Sequence, residues 1–512
     1  MKFYIGIFMS LIFALPVTAY CSYENNSQIT VSRLQILRGN KERFVNASHS
    51  PKTHNLSSDN GQRESVTDTR YRRVKKNELV LVGENVRQPS QAGGYSGGRR
   101  NDNDRVSLLS EDVETLGEDD NLFGLKRGYF HPYVSGHFAY TDNLFNLYED
   151  KTTNFLTKIS PGIWLSVPRR KAEPVAIASH NSSGGGLQYM LDDYEGTDRY
   201  ELYFNGGFDY SKYSADSNLN DFEWAVEGMG RYNFPGGLTL QLMDQYVRNR
   251  DRYEVGYPDS NLLHLFYSNV LVGTAEWRIT EKFRVKGDVS LFSLRYDEDA
   301  FDYLERDDFF VDLYGYFNLS EITSFFVNYK YGLIGYDSYT QYDNRQNLIY
   351  GGLKWSSTEK IALSTKIGIQ DKQFSNEDST FTDYSGLALE LQIDYRYSEK
   401  TQVQFNLYKK NEESDSLQAQ DKNVLGALFV YNQDYTEKLH GSFSARYENA
   451  DYTELGGQPR DEWRIVLEPK LRFAFREWIN VELGYQFEKR DSTDDTYDYS
   501  SNTVFANLNL EL

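Results

Sequence analysis

The chain is poor in cysteine, in proline and in long hydrophobic runs. Its 512 residues include one Cys, at Cys21, and 11 Pro. A single cysteine excludes a disulfide within the chain and a cluster of thiolate metal ligands. Mean hydropathy is strongly negative, and no apolar stretch of about eighteen residues lies beyond the N-terminus, so no mature transmembrane helix is expected.

Cationic residues are also scarce relative to anionic ones. Lys and Arg number 55 against 75 Asp and Glu, which gives a net charge of −20. Because a nucleic-acid partner requires an excess of cations to neutralise phosphates, we expect no nucleic-acid partner. Aromatic residues, in contrast, are abundant, with 41 Tyr and 31 Phe. A membrane-spanning barrel remains compatible with this composition, since alternating strands average out in a hydropathy window.

The N-terminal part of the chain divides into two regions. Residues 1–19 combine an early lysine, a short apolar run, a proline and small residues, and are predicted to be a secretory signal peptide. Tyr20 stands where a lipoprotein signal needs a small residue, so lipidation of Cys21 is not expected. Residues 20–126 are polar and turn-rich and are predicted to be a mostly disordered periplasmic extension.

Several segments of residues 127–512 alternate strictly between apolar and polar side chains. LALELQIDYRY, residues 387–397, puts leucine, isoleucine and tyrosine on one face and glutamate, aspartate and arginine on the other. EWRIVLEPKLRFAF (462–475) and INVELGYQFEK (479–489) repeat the pattern. A helix written this way would have no apolar face, so these segments are strands. Their length, with one charged and one apolar face, is typical of a sheet between lipid and water.

A corner motif recurs along this region. WSSTEKIAL at 355–363 is echoed by WRITEKFRV at 277–285 and YRYSEKTQV at 395–403. The spacing of 38 or 40 residues between corners fits two strands, a short turn and a longer loop, which is one hairpin step of an up-and-down barrel. The corners are marked by Glu281, Glu321, Glu359, Glu399, Glu437 and Glu477.

The predicted fold class is all-β: a transmembrane, antiparallel, up-and-down β-barrel of about 18 strands, formed by residues 127–512. Residues 169–198 are polar and glycine-rich and could hide a further pair of strands. The tight turns lie on one rim and long acidic segments on the other, which matches barrels of the Gram-negative outer membrane. We expect the acidic segments to be solvated extracellular loops, and the clusters GGYSGG (93–98) and SSGGG (182–186) to be linkers.

Two sets of side chains are predicted to have a role. Aromatic residues four positions before most corner glutamates are expected to form a girdle at the periplasmic membrane interface: Trp277, Phe317, Trp355, Tyr395 and Phe473. Charged residues on the polar faces are expected to line the lumen: Glu390, Asp394, Arg396, Arg446, Arg464, Glu468, Lys470, Arg472, Glu482 and Glu488. These charges could form an open polar path or a self-satisfied network of salt bridges that fills the lumen.

No enzymatic activity is expected, because no motif for a catalytic nucleophile accompanies any of the seven histidines. Acidic pairs are so frequent in the loops that their spacing carries no information, and the glycine clusters lack the residues of a phosphate loop. We therefore expect no cofactor, no metal site and no catalytic residue. The histidines are His49, His54, His131, His137, His180, His264 and His440.

The start of the barrel region resembles the entry hairpin of a known family. The matching elements are HPYVS (131–135), YTDNLF (140–145) and ISPGIWL (159–165), and GGLKWSSTEKIALSTKIGIQDKQF (351–374) looks like the barrel body. The resemblance, over residues 128–512, is to outer-membrane β-barrel porins associated with exopolysaccharide export. It implies a role in envelope transport, with a secreted polysaccharide as the expected cargo.

The sequence thus predicts an outer-membrane channel for a secreted polysaccharide or another polar solute. The alternative is a non-conducting barrel that acts through its acidic extracellular loops. The expected partners are outer-membrane lipid and lipopolysaccharide, the barrel assembly machinery and the polysaccharide export machinery.

Overall fold

The structure is a computed structural model that describes residues 128–168, 179–187, 199–252, 263–358, 360–375, 381–456, 459–476 and 478–511. The predicted signal peptide and periplasmic extension lie outside the described residues. The predicted barrel region lies almost entirely within them.

The described residues form eighteen strands of 12 to 17 residues. Their bounds are β1 Phe130–Thr141, β2 Asn154–Val167, β3 Tyr200–Tyr213, β4 Asp221–Asn233, β5 Leu238–Arg252, β6 Leu263–Arg278, β7 Phe283–Tyr296, β8 Arg306–Ser320, β9 Thr323–Tyr336, β10 Asn344–Thr358, β11 Ile361–Phe374, β12 Tyr384–Ser398, β13 Thr401–Glu413, β14 Ala419–Asp434, β15 Leu439–Glu454, β16 Arg460–Arg476, β17 Ile479–Ser492 and β18 Tyr499–Glu511.

Each strand pairs with its sequence neighbours, and the first strand pairs with the last. β1 and β18 run antiparallel from Tyr133 opposite Glu511 to Thr141 opposite Thr503. The sheet is therefore a closed, antiparallel, up-and-down barrel, as the sequence predicts. Closure pairs the backbone groups that an open edge would leave exposed.

The short turns of the barrel are stabilised by the corner motif itself. The Thr280 hydroxyl accepts hydrogen bonds from the backbone N–H groups of Lys282 at 3.2 Å and Phe283 at 3.0 Å. Thr436 does the same for the second and third residues after it. Such hydroxyl-to-backbone bonds stabilise tight turns, which explains why a hydroxyl residue precedes the corner glutamate. The described corner glutamates are exposed: Glu281, Glu321, Glu399 and Glu437.

The two faces of the sheet differ as the alternation predicts. Large apolar side chains are exposed on the outer face, for example Val327 at 68% and Ile349 at 63%. On the inner face, polar and charged side chains such as Glu482 and Glu488 are buried. No helix in the described part of the chain is long and apolar enough to cross a membrane.

The expectation that the acidic segments are solvated loops is wrong for several of them. β13 continues to Glu413 and β14 begins at Ala419, so only five residues, 414–418, connect them. Glu412 and Glu413 are buried on the inner wall, where lysines neutralise them. The sequence shows the acidic residues together, but it does not show that Lys410 on the same strand and Lys372 on β11 neutralise them.

A lysine on the outer face tests the predicted lipid contact. We expect Ile367→Lys, in the middle of β11, to lower the free energy of unfolding by about 2–4 kcal/mol, and Tyr397→Lys, near the end of β12, by about 0–1 kcal/mol. The difference arises because a charge costs most at the middle of a bilayer. Both free-energy changes are measured by urea unfolding in lipid vesicles. The folded fraction at each urea concentration is read from the shift in gel mobility that boiling causes. Equal costs would contradict the predicted orientation.

Candidate functional site

The interior of the barrel contains a piece of the connection between β2 and β3. Residues 179–187, here called the inner segment, form a compact loop with a bridge between Ser179 and Leu187 and a 3₁₀ turn at Gly184–Gly186. Most of the loop is buried. β2 ends at the short-turn rim. The inner segment, however, contacts Asp308 near the start of β8 and Glu413 at the end of β13, and both lie at the long-loop rim. The connection therefore enters the lumen rather than forming the expected linker or strand pair.

Glycine is required at two positions of the inner segment. Gly185 and Gly186 have φ values of +79° and +69°, a left-handed conformation that other residues adopt at a cost. A Cβ atom on Gly186 would overlap the ring of Phe292, and one on Gly185 would lie 2.9 Å from the ring of Phe310. The glycine cluster thus permits close packing against two inward aromatic rings.

An ion pair at the start of β8 holds the inner segment. Arg306 and Asp308 are buried and are joined by a 3.1 Å contact from Nε to Oδ1. The Arg306 guanidinium donates to the carbonyl oxygens of Asn181 and Ser183, and Asp308 accepts from the N–H of Gly185 at 2.8 Å. These charge-assisted bonds satisfy backbone groups that would otherwise be buried without partners.

Two lysine–glutamate pairs on β11 and β13 complete the contact. Lys372 lies 2.8 Å from Glu413, and Lys410 lies 3.1 Å from Glu412. Lys410 also donates to the hydroxyl of Ser183 at 3.0 Å, and the N–H of Glu413 donates to the carbonyl oxygen of Ser182 at 2.9 Å. The inner segment is thus bonded to the inner face of the barrel both at β8 and at β13.

The long-loop end of the barrel is covered by aromatic side chains. Phe301 and Tyr303, in the connection between β7 and β8, are buried, as is Tyr342 between β9 and β10. The two tyrosine hydroxyl groups bond to the short β13–β14 connection: Tyr342 donates to the carbonyl oxygen of Leu417 at 2.8 Å, and Tyr303 to that of Asp415 at 3.4 Å. The loops therefore fold over the mouth of the barrel instead of extending into solvent.

His180 is the titratable group of the inner segment. It is buried, and neither ring nitrogen has a hydrogen-bond partner in the described structure. Burial lowers the pKa of His180 from 6.5 to about 4, with Glu412 and Glu448 opposing the shift and Lys410 and Lys422 adding to it. The neutral imidazole is the form that fits this position.

The predicted lumen residues lie on the inner face, and many of them form ion pairs or hydrogen bonds. Arg396 lies near the short-turn rim, and Arg446 and Arg472 are buried. The contacts of the others are Lys366–Glu390 at 3.0 Å, Gln392–Asp394 at 2.9 Å, Arg464–Glu488 at 2.7 Å, Lys470–Glu468 at 2.9 Å and Asn507–Glu482 at 3.0 Å.

The predicted girdle residues lie near the short-turn rim. Trp277 is 49% exposed, and Phe317, Tyr395 and Phe473 are also exposed, whereas Trp355 is partly buried. Phe317 packs against Phe283 of the neighbouring strand, with ring centroids 5.3 Å apart. Their contact with a membrane interface stays a prediction.

Several residues of the site were not singled out from the sequence: Arg306, Asp308, Lys372, Lys410, Glu412, Glu413 and the inner segment itself. The signal for the inner segment was the run HNSSGGG, whose glycines and hydroxyls are as common in linkers as in tightly packed loops. Within the described part of the chain, no three metal-ligating side chains cluster.

The barrel and its two faces define the class of the protein. A closed eighteen-stranded barrel with an apolar exterior and a charged interior is the architecture of bacterial outer-membrane channels. The chain belongs to the family described as "Putative beta-barrel porin 2", whose model matches residues 197–512. The protein is thus a porin-like channel of the Gram-negative outer membrane, and its family and fold indicate a channel rather than an enzyme. β1, β2 and the inner segment lie outside the matched range.

Solved structures of porins show a distant likeness. OccK2 (OpdF) of Pseudomonas aeruginosa is 12% identical with a TM-score of 0.40, and the match covers 75% of this chain and 98% of that one. OccAB4 of Acinetobacter baumannii is 8% identical with a TM-score of 0.40, covering 76% and 100%. No curated protein matches the chain. At this similarity the solutes of those porins are not carried over to this chain.

A larger side chain at Gly186 tests whether the inner segment blocks the lumen. We expect Gly186→Ala to displace the segment and to raise single-channel conductance in planar bilayers, because the added methyl group overlaps Phe292 and the backbone is left-handed. Gly351→Ala is the matched control, since a Cβ atom there meets nothing within 4 Å. Unchanged conductance in the Gly186→Ala variant would contradict a blocking role.

The buried His180 predicts an effect of pH on the same segment. In water the imidazole has a pKa near 6.5, but in the packed segment near 4, so the displaced state binds the proton more tightly. Lowering the pH from about 7 to about 4 should therefore favour displacement by up to about 3 kcal/mol and raise conductance. Because other groups titrate in this range, the effect of His180 is measured as the difference in conductance between the wild type and the His180→Gln variant at each pH. Identical pH profiles would rule out this role of His180.

Proposed function

We propose that the barrel carries a secreted polysaccharide, or another polar solute built of sugar rings, across the outer membrane. The supporting observation is that inner-wall cations lie over aromatic rings. The Arg284 guanidinium is 4.0 Å from the centroid of the Tyr316 ring, and the Lys366 ammonium is 4.6 Å from that of Tyr350. In the packed structure the cations cover these buried rings. Once uncovered, such a ring offers a sugar a flat apolar surface, and the cation beside it offers hydrogen-bond donors.

Passage of such a solute requires the inner segment to move. The cavity beside it measures about 70 Å³, which holds a few water molecules and is smaller than the roughly 150 Å³ that accommodates benzene. A sugar ring is larger than benzene. The packed inner segment therefore represents the closed state, and conduction follows its displacement.

The lipid and protein partners of the barrel are proposed to be those of an outer-membrane transport protein. Trp277, Phe317, Trp355, Tyr395 and Phe473 would sit at the periplasmic lipid interface, where aromatic side chains are favoured. The barrel assembly machinery would insert the protein beside lipopolysaccharide. Polysaccharide export machinery would deliver the solute to the short-turn rim.

A permanently closed barrel is the second candidate function. It is favoured by the paired charges of the lumen, such as Arg464 with Glu488 at 2.7 Å, and by the aromatic cover over the mouth. In this form the protein would act through the surface that its loops present.

Planar-bilayer recordings distinguish the two candidates. We expect the full-length protein to conduct ions, and oligosaccharides to interrupt the current for measurable times. Tyr316→Leu should shorten these interruptions roughly fivefold, equivalent to about 1 kcal/mol of lost contact. Tyr397→Leu, on the outer face, is the control and should leave them unchanged. The absence of any conductance, even in the Gly186→Ala variant, would leave only the closed barrel.

A further inference from the structure

The barrel wall contains a seam between β12 and β13. Backbone pairing of these strands runs from the short turn to Leu389 opposite Lys409 and ends there. Both strands continue toward the long-loop rim, by residues 384–388 of β12 and 410–413 of β13, but these described residues do not pair with one another. Over the same residues β12 stays paired with β11, and β13 with β14. The two strands therefore separate near this rim.

β13 bends into the lumen at the seam, and other groups replace the strand that it leaves. The side-chain amide of Gln370, on β11, accepts a hydrogen bond from the N–H of Asn411 at 2.9 Å and donates to its carbonyl oxygen at 3.0 Å. Two residues further along the same edge, the N–H of Glu413 donates to the carbonyl oxygen of Ser182 at 2.9 Å. The backbone groups that β12 would otherwise bond are thus satisfied by β11 and by the inner segment.

The bent end of the β13–β14 hairpin, residues 410–421, contacts both structures that fill the lumen. Lys410 donates to the hydroxyl of Ser183 in the inner segment at 3.0 Å. The aromatic cover over the mouth bonds to the same hairpin end, for example from the Tyr342 hydroxyl to the carbonyl oxygen of Leu417 at 2.8 Å. Movement of the hairpin end out of the lumen would therefore break the contacts of the inner segment and of the cover together.

The sequence of β13 fits a second position, in the wall beside β12. The register that pairs Leu389 with Lys409 would, if continued, put Asn411 opposite Leu387. Lys409 is exposed on the outer face, so the outward side chains beyond it, nearer the long-loop rim, can be polar, and Asn411 meets that condition. An unpaired strand edge within the membrane is costly, and this second pairing removes it.

We propose that the hairpin end is the gate of the channel: it leaves the lumen, pairs with residues 384–388 and so frees the inner segment and the mouth. In the closed position the amide of Gln370 takes the place of a strand for Asn411. In the open position β12 takes that place, so the backbone of Asn411 has a partner in both. The inference rests on the proposed function, because a gate has meaning only in a protein that conducts.

The test is a disulfide that holds the open position. Leu387→Cys and Asn411→Cys are introduced into the full-length chain with Cys21→Ser, which removes the native cysteine. Residues directly opposite on paired strands have Cα atoms about 4.5–5.5 Å apart, which is within the range of a disulfide. We expect oxidation to form the bond and to raise conductance in planar bilayers about tenfold, and we expect reduction to reverse the change.

A substitution at Gln370 tests the closed position separately. Gln370→Leu removes both hydrogen bonds to Asn411 and should raise conductance about tenfold, which corresponds to about 1.4 kcal/mol. Gln373→Leu is the matched control, because Gln373 lies on the same strand, is exposed and bonds to Arg345 rather than to the hairpin end. The control variant should conduct like the wild type. Equal conductance in the two variants would show that the amide of Gln370 does not hold the gate.

Leu389→Cys with Lys409→Cys is the control for the disulfide, because these residues are already opposite each other. Its bond should form without changing conductance. Oxidation that joins the control pair but never residues 387 and 411, as measured by thiol labelling, would overturn the second position. A 387–411 bond that leaves conductance unchanged, where Gly186→Ala raises it, would overturn the gate. A 387–411 bond in a protein that never conducts would support the movement of the hairpin end while contradicting the proposed transport.

Discussion

The pairing of every backbone hydrogen-bonding group is the constraint on which the rest of this structure depends. A strand that faces lipid has no water to satisfy its N–H and C=O groups, so an open sheet edge would be very costly there. The antiparallel pairing of β1 with β18 removes that edge. Once the sheet is closed, the alternation of side chains assigns each residue to the lipid or to the lumen.

Closure of the sheet also encloses a lumen, and the inner segment occupies part of it. A barrel of this size encloses an aqueous lumen unless something fills it. Here residues 179–187 of the β2–β3 connection lie in the lumen and bond to Arg306, Asp308 and Lys410, while aromatic loops cover the long-loop mouth. The interior is therefore packed like a small polar core, in which charges are stabilised chiefly by their partners. The contacts of the inner segment can be exchanged for contacts with water, which is compatible with a channel that opens.

The same interior shows why composition is a poor guide to local charge. The chain is strongly acidic overall, yet carboxylates that line the cavity are matched by lysines, as in the Lys366–Glu390 contact at 3.0 Å and the Lys286–Asp288 contact at 3.4 Å. Net charge counts residues, whereas a solute in the lumen meets only those charges that no protein group compensates.

The sequence by itself determined the barrel. A period of two identifies the strands, the spacing of the corner glutamates counts the hairpins, and the Thr–Glu–Lys phrase contains the bonds of its own turn. All of these are local properties, and residues such as Glu390 and Glu488 could be assigned to the inner face from alternation alone. Only the tertiary structure decided what the inner face does. Arg306 and Lys410 bond to the inner segment, which is far from them in the chain, and Lys372 on β11 pairs with Glu413 on β13. The glycines of residues 184–186 differ from a flexible linker in being packed against the rings of Phe292 and Phe310 and in the bond from the N–H of Gly185 to Asp308.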